Sequence, residues 1–137
     1  AAAPTAAAAR GVRVRVLVPG GHIDKDVVRH AGRATYGELL RGGVRVFEYG
    51  PTMLHAKALV VDGIWSTIGS ANFDNRSFQL NDEAVLSVQD TTFAERLTEI
   101  FESDLEVSHE VGLEEWESRP RRERLRETAA RILRREL

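Results

Sequence analysis

The sequence predicts an α/β fold: a mixed, largely parallel β-sheet flanked by helices, with amphipathic helices at the C-terminal end. Three observations carry this prediction. Apolar residues alternate with other residues over 12–18 and again over 44–49, the period of a half-buried strand. Between those runs Val27, Ala31, Thr35 and Leu39 recur at every fourth position, the period of a helix with one apolar face. Beyond residue 52, three short β-type runs separated by turn residues lead into a second helical pattern.

The elements follow in order. Ala1 to Ala9 is alanine-rich and ends at Arg10-Gly11, which reads as the tail of a helix with a glycine C-cap. It has neither the basic leader nor the long apolar core of a signal peptide. Because the chain enters its first strand almost at once, the start is expected to be a truncation. Val12, Val14, Val16 and Val18 form the first strand, and Pro19-Gly20-Gly21 ends it. That glycine pair fits neither the dinucleotide fingerprint nor the P-loop, so it reads as a plain turn. Asp24 caps a helix that runs to about Arg41 and stops at Gly42-Gly43. Val44 to Tyr49 is the second strand, and strand–helix–strand implies a parallel pair joined by a right-handed crossover.

After Gly50-Pro51, a third strand is expected over Met53–Val61, a hairpin turn at Asp62-Gly63, and a fourth strand over Ile64–Ile68. Asn72 to Gln79 is a polar loop or short helix, and Ala84 to Val88 a fifth strand. Thr92 and Glu95 have capping-box spacing, and the helix behind them carries Phe93, Leu97, Ile100, Phe101 and Leu105 on one face. Residues 119–137 turn basic while Leu125, Ala129, Ile132 and Leu133 keep an apolar stripe. Two readings stay open for this terminal helix: docking on the body with a solvated Arg/Glu face, or contact of its arginines with anionic lipid headgroups.

With 137 residues, the whole chain, 1–137, is expected to form one domain. The net charge of −2 supplies no global basic field for nucleic acid. The absence of cysteine excludes disulfides, zinc fingers of the cysteine type and thiol catalysis. No stretch approaches the roughly 18 apolar residues of a membrane span.

The chemistry concentrates in one segment. His55 and Lys57 interrupt an otherwise apolar strand pattern, with Asp62 at its end. Strand alternation puts His55 and Lys57 on one face and Asp62 on the other. An ammonium beside an imidazole suits an anionic substrate: the lysine holds the anion, and the imidazole attacks it or donates a proton. Like-charge repulsion favours the neutral, nucleophilic ring. Ser70 and Asn72 supply neutral donors for phosphate oxygens, and Gly69 lets the backbone come close. A carboxylate at Glu83 can accept from the far ring nitrogen of His55 and fix its tautomer. Each residue alone has an ordinary explanation: a satisfied strand histidine, a snorkelling lysine, an aspartate in a turn. The combination at this spacing is rarely joined by chance and suits an anion such as a phosphodiester.

His55-x-Lys57-x-x-x-x-Asp62 followed by Gly69-Ser70-x-Asn72 resembles the HKD signature of the phospholipase D superfamily. The flanks Arg10-Gly11-Val12-x-Val14-Arg15, Leu39-Leu40-x-x-Gly43-Val44, Glu48-Tyr49, Met53-Leu54, Phe73-Asp74-x-Arg76-Ser77-Phe78, Leu80-Asn81 and Trp116-x-x-Arg119-Pro120 are similar to the C-terminal half of bacterial cardiolipin synthases. The resemblance implies a phosphatidyltransferase of phospholipid biosynthesis, working through a phosphohistidine with neither metal nor cofactor. Two motifs, one per half, would face each other: one histidine attacks phosphorus while the other protonates the leaving alcohol and activates the next. Carried over, His55 is a catalytic histidine, Lys57 and Asn72 phosphate ligands, and Ser70 a lining residue. Glu83 orients His55, and Asp62 is the structural partner within the motif. Implied partners are a phospholipid (phosphatidylglycerol foremost), the membrane surface, and a missing N-terminal half or a second copy. The implied location is the bacterial cytoplasmic membrane, peripheral for this segment. The chain has one motif: His22, His30 and His109 lack a lysine two residues on. A single-motif homodimeric phosphodiesterase or nuclease, and a non-catalytic lipid- or phosphate-binding fragment, therefore remain as alternatives.

Overall fold

A computed structural model of the chain describes residues 2–21, 33, 35–70 and 83–120. The described elements, in order, are α1 (Ala2–Ala9), β1 (Arg15–Pro19), α2 (Tyr36–Arg41), β2 (Arg45–Tyr49), β3 (Lys57–Val61), β4 (Trp65–Gly69), β5 (Val85–Gln89), α3 (Thr91–Glu106), β6 (Ser108–Val111) and α4 (Leu113–Ser118). The α/β class with mixed strand pairing agrees with the expectation. Among the described residues, parallel pairing is confined to β1 and β2, so the pairing is mixed rather than largely parallel, and the strands fall into two three-stranded sheets rather than one, β1-β2-β6 and β3-β4-β5. The chain divides into two compact units, Ala1–Leu54 with Val107–Leu137, and His55–Glu106.

In the first unit, α1 ends as its sequence suggests, with the N–H groups of Arg10, Gly11 and Val12 donating to the carbonyls of Ala7, Ala8 and Ala7. β1 and β2 pair in parallel from Arg15↔Arg45 to Pro19↔Tyr49. The described part of the intervening helix is α2 and Arg33; Asp24, Val27, Val28 and Ala31 lie outside the described residues. Gly42 closes α2 with its N–H on Glu38 O at 3.1 Å. β6 then pairs antiparallel with β2, from Val46↔Val111 to Tyr49↔Ser108. Arg45 clamps this edge, giving Nε and Nη2 to the two carboxylate oxygens of Glu110, each at 2.8 Å. Tyr36, Val46, Val111 and Trp116 form the core, with Val18, Leu39 and Leu40 against it. The Tyr36 and Trp116 rings meet at 5.1 Å in a tilted pair, and the Arg33 and Arg119 guanidinium groups lie over the indole.

The second unit is an antiparallel meander followed by α3. β3 pairs with β4 from Lys57↔Gly69 to Val61↔Trp65, and β4 with β5 from Trp65↔Gln89 to Gly69↔Val85. The β3–β4 turn falls at Asp62-Gly63, as expected. Both residues have positive φ, 53° and 65°, and Ile64 N–H donates to Val61 O at 3.2 Å, the signature of a type I′ turn. α3 carries the expected half-buried face of Phe93, Leu97, Phe101 and Leu105, with Ile100 left exposed. Its cap differs from expectation. Asp90 Oδ1 accepts from Phe93 N–H at 2.7 Å, so Asp90 rather than Thr92 is the N-cap and the helix begins two residues earlier than expected, at Thr91. Among the described residues, no helix is long and apolar enough to cross a membrane. Residues 121–137, the bulk of the expected basic helix, lie outside the described residues, as does the 71–82 segment with Asn72.

Candidate active site

Three of the chemistry-bearing segments meet at one end of the β3-β4-β5 sheet, where chain ends rather than strand interiors set the geometry. β3 begins at Lys57, not at Met53 as expected. The described β3–β4 ladder stops at Gly69, opposite Lys57. His55 is therefore an exposed residue two positions ahead of the strand, and strand alternation does not fix its side-chain direction. What joins the two residues is a hydrogen bond, Lys57 Nζ donating to the His55 carbonyl oxygen at 2.9 Å. This places the ammonium beside the backbone that carries the imidazole.

Ser70 follows directly on Gly69 at the exit of β4. Its N–H donates to Ala84 O at 2.9 Å, and its Oγ accepts from Ala84 N–H at 3.0 Å. Glu83, half-buried, stands immediately before Ala84 at the entrance to β5. The entrance of β3, the exit of β4 and the entrance of β5 thus present His55 and Lys57, Ser70, and Glu83 along one sheet edge. Asn72 is two residues beyond Ser70 in sequence and lies outside the described residues.

Asp62 is elsewhere. It sits in the exposed turn at the opposite end of the β3–β4 hairpin. Five residues along β3 and into its turn put Asp62 roughly 16 Å from Lys57 at about 3.3 Å per residue. Its left-handed backbone is one that aspartate and asparagine tolerate better than most residues, which accounts for its place in a turn before glycine.

Gly69 is required by close approach. A Cβ there would overlap the Ala84 carbonyl oxygen and crowd Val85 Cα at 2.9 Å, so the Gly-Ser pair seats β5 against β4 at the point where the site begins. The partner of this arrangement, Ala84, carries no sequence signal, because its contribution is entirely through the backbone.

This geometry gathers a cation, an imidazole, a hydroxyl and a carboxylate at one sheet edge, a set suited to holding an anion while a proton or a phosphoryl group moves.

Comparison with known proteins adds the following. The family described as "Cardiolipin synthase, PLD-like domain" matches residues 1–105. Among curated relatives, cardiolipin synthase A of Pseudomonas fluorescens is 42% identical over 90% of this chain and 26% of its own length. Cardiolipin synthase of Alkalihalophilus pseudofirmus is 39% identical over 93% of this chain and 25% of its own. The chain thus spans about a quarter of the length of these relatives. Two solved structures share the fold. One is the phospholipase D family member Nuc from Salmonella typhimurium, with TM-score 0.68 and 22% identity, covering 79% of this chain and 70% of that one. The other is NucT from Helicobacter pylori, with TM-score 0.61 and 21% identity, covering 76% and 69%.

Proposed function

The chain belongs to the cardiolipin synthase family of phospholipase D-like domains, and from that premise we propose that it is one catalytic half of a phosphatidyltransferase that moves a phosphatidyl group between phospholipids. The observation that carries the reading is the convergence of His55-Lys57, Ser70 and Glu83 at one edge of the β3-β4-β5 sheet. Residues 1–137 act in it as one phospholipase D-like domain.

Lys57, with Asn72, holds the non-bridging oxygens of a phosphodiester, and Ser70 lines the same site. An imidazole attacks phosphorus; an N–P bond forms, the P–O bond to the leaving alcohol breaks, and a second imidazole gives that alcohol its proton. The second imidazole then removes the proton of an incoming alcohol, whose oxygen displaces the histidine and restores it. Glu83 accepts from the ring nitrogen of His55 that is not reacting and so fixes its tautomer. The cycle needs two imidazoles, and this chain has one His-x-Lys motif, so the other comes from a second motif-bearing half or a second copy. The substrate is a phospholipid at a membrane surface, with phosphatidylglycerol as donor and acceptor, and water as acceptor gives hydrolysis.

The test is lipid turnover by the intact protein in vesicles of phosphatidylglycerol. His55→Ala is expected to lower cardiolipin formation by a factor on the order of 10³ or more, as loss of a nucleophile or its acid–base partner does. Wild-type formation by that variant rejects the proposal. The single motif also supports a second reading, a self-pairing phosphodiesterase. That reading requires a dimer, and sedimentation of a monomer at working concentration eliminates it.

A further inference from the structure

The edge that carries the candidate site is closed by a pair of hydrogen bonds in which a side chain stands in for backbone. In an antiparallel pair, two directly opposed residues of the hydrogen-bonded type exchange both N–H···O=C bonds. The β4–β5 ladder ends at Gly69↔Val85. One step further, Ser70 N–H donates to Ala84 O at 2.9 Å, as a continued ladder would have it. The return bond differs: Ala84 N–H goes to Ser70 Oγ at 3.0 Å, in the place the Ser70 carbonyl would fill. The same hydroxyl also has a long contact with Ala84 O, at 3.5 Å. Among the described residues, Ser70 is therefore the last rung of the sheet.

We propose that Ser70 is a positioning residue: by tying its Oγ to the Ala84 amide it fixes where Glu83 enters β5, and so how that carboxylate stands toward His55. The inference rests on the reading of His55 as a catalytic imidazole and Glu83 as its orienting partner. Gly69 serves the same tie, since a Cβ there would collide with Ala84 and open the rung. Alanine at position 70 leaves the Ala84 amide without its acceptor, whereas threonine keeps the hydroxyl.

The experiment uses the intact protein and mixed micelles of phosphatidylglycerol. Ser70→Ala is expected to lower kcat by roughly tenfold or more, as small misplacements of catalytic groups do, with KM within about twofold of wild type. Its pH–rate profile moves in the same direction as that of Glu83→Gln, and Ser70→Thr restores kcat. Because the serine acts through the carboxylate, the double variant is no slower than Glu83→Gln alone. A raised KM with losses that multiply in the double variant makes Ser70 a phosphate ligand only and overturns the proposal. Amide exchange reads the tie without any catalysis. The Ala84 N–H exchanges about tenfold faster in Ser70→Ala and at the wild-type rate in Ser70→Thr. Unchanged exchange in Ser70→Ala overturns the proposal even in a protein that turns over no lipid. Full activity of His55→Ala rejects the site reading, and with it the positioning role, while leaving the exchange result in place.

Discussion

The two units of this chain differ in what they bury. The unit of Ala1–Leu54 and Val107–Leu137 encloses a core of Tyr36, Val46, Val111 and Trp116, with Val46 fully buried. In the unit of His55–Glu106, the buried residues among those described are Ser66, Thr67 and Ala94. Its sheet leaves Leu59, Val61, Ile68, Val85 and Leu86 exposed, Leu86 at 58%. Every described residue of the candidate site lies in this second unit. Strand register puts Leu59, Val61 and Val85 on one face of the sheet and Ile68 and Leu86 on the other, so neither face is closed by a packed layer of large apolar side chains among the described residues. The comparison separates a part with an aromatic core from a part whose candidate site stands on a thinly covered sheet.

The contrast is broken most forcefully at Trp116. The indole is 5% exposed, pairs with Tyr36 and is flanked by Arg33 and Arg119, the latter also donating Nε to Trp116 O at 2.7 Å. Trp116→Ala removes the centre of that core and is expected to destabilise the chain by about 3–5 kcal/mol, read as a lowered urea midpoint. A loss of about 1 kcal/mol or less would mean that the first unit has no organising core at Trp116.

Much of this division can be read from the sequence, and the exceptions have physical reasons. The valine alternation of 12–18 and 44–49 locates the parallel pair, Gly42-Gly43 the end of α2, and Asp62-Gly63 the β3–β4 turn. β6 has no such signal: Ser108-His109-Glu110-Val111 is short and polar, and is a strand because β2 offers it an open edge and Arg45 grips Glu110. β3 starts later than its composition suggests: Met53 to Ala56 are strand-like in type, but the strand begins at Lys57, opposite Gly69. At the site, residue types singled out His55, Lys57, Ser70 and Glu83, and their placement at one sheet edge follows from the strand ends. The acceptor role of Ser70 toward Ala84 has no residue-type signature, because an amide belongs to every residue except proline.

The second unit offers a smaller perturbation of opposite sign. Ser66 is fully buried, and its Oγ has no hydrogen-bond partner among the described residues. A buried hydroxyl without a partner costs stability, and removing it is neutral or favourable. Ser66→Ala is therefore expected to leave stability unchanged or raise it by up to about 1 kcal/mol, with turnover unaffected. A loss of more than about 1 kcal/mol in urea unfolding would show that the hydroxyl is satisfied and that this sheet is more tightly built than its burial indicates.

The smallest effect tests whether the first unit also relies on surface charge. The Glu115 carboxylate accepts from His109 Nε2, with ring-nitrogen distances of 3.1 and 3.2 Å to its two oxygens, and from Gly112 N–H at 3.4 Å, joining β6 to the first turn of α4. The His109 hydrogen bond, aided by the Gly112 amide and by the charges of His109 and Arg33, holds this carboxyl below its ordinary value of 4.5 against the opposing effect of burial. A carboxylate with a lowered folded-state pKa contributes stability above its unfolded value and loses it as pH falls through the folded one. The pair is exposed on both sides, so solvent and salt screen it, and Glu115→Gln should cost no more than about 1 kcal/mol at neutral pH. That deficit should narrow below pH 4.5, where the wild-type carboxylate begins to protonate, and should shrink in high salt. A deficit that stays constant from neutral pH through the acid range would assign the residue's contribution to packing at the start of α4, leaving the first unit's stability to its apolar core alone.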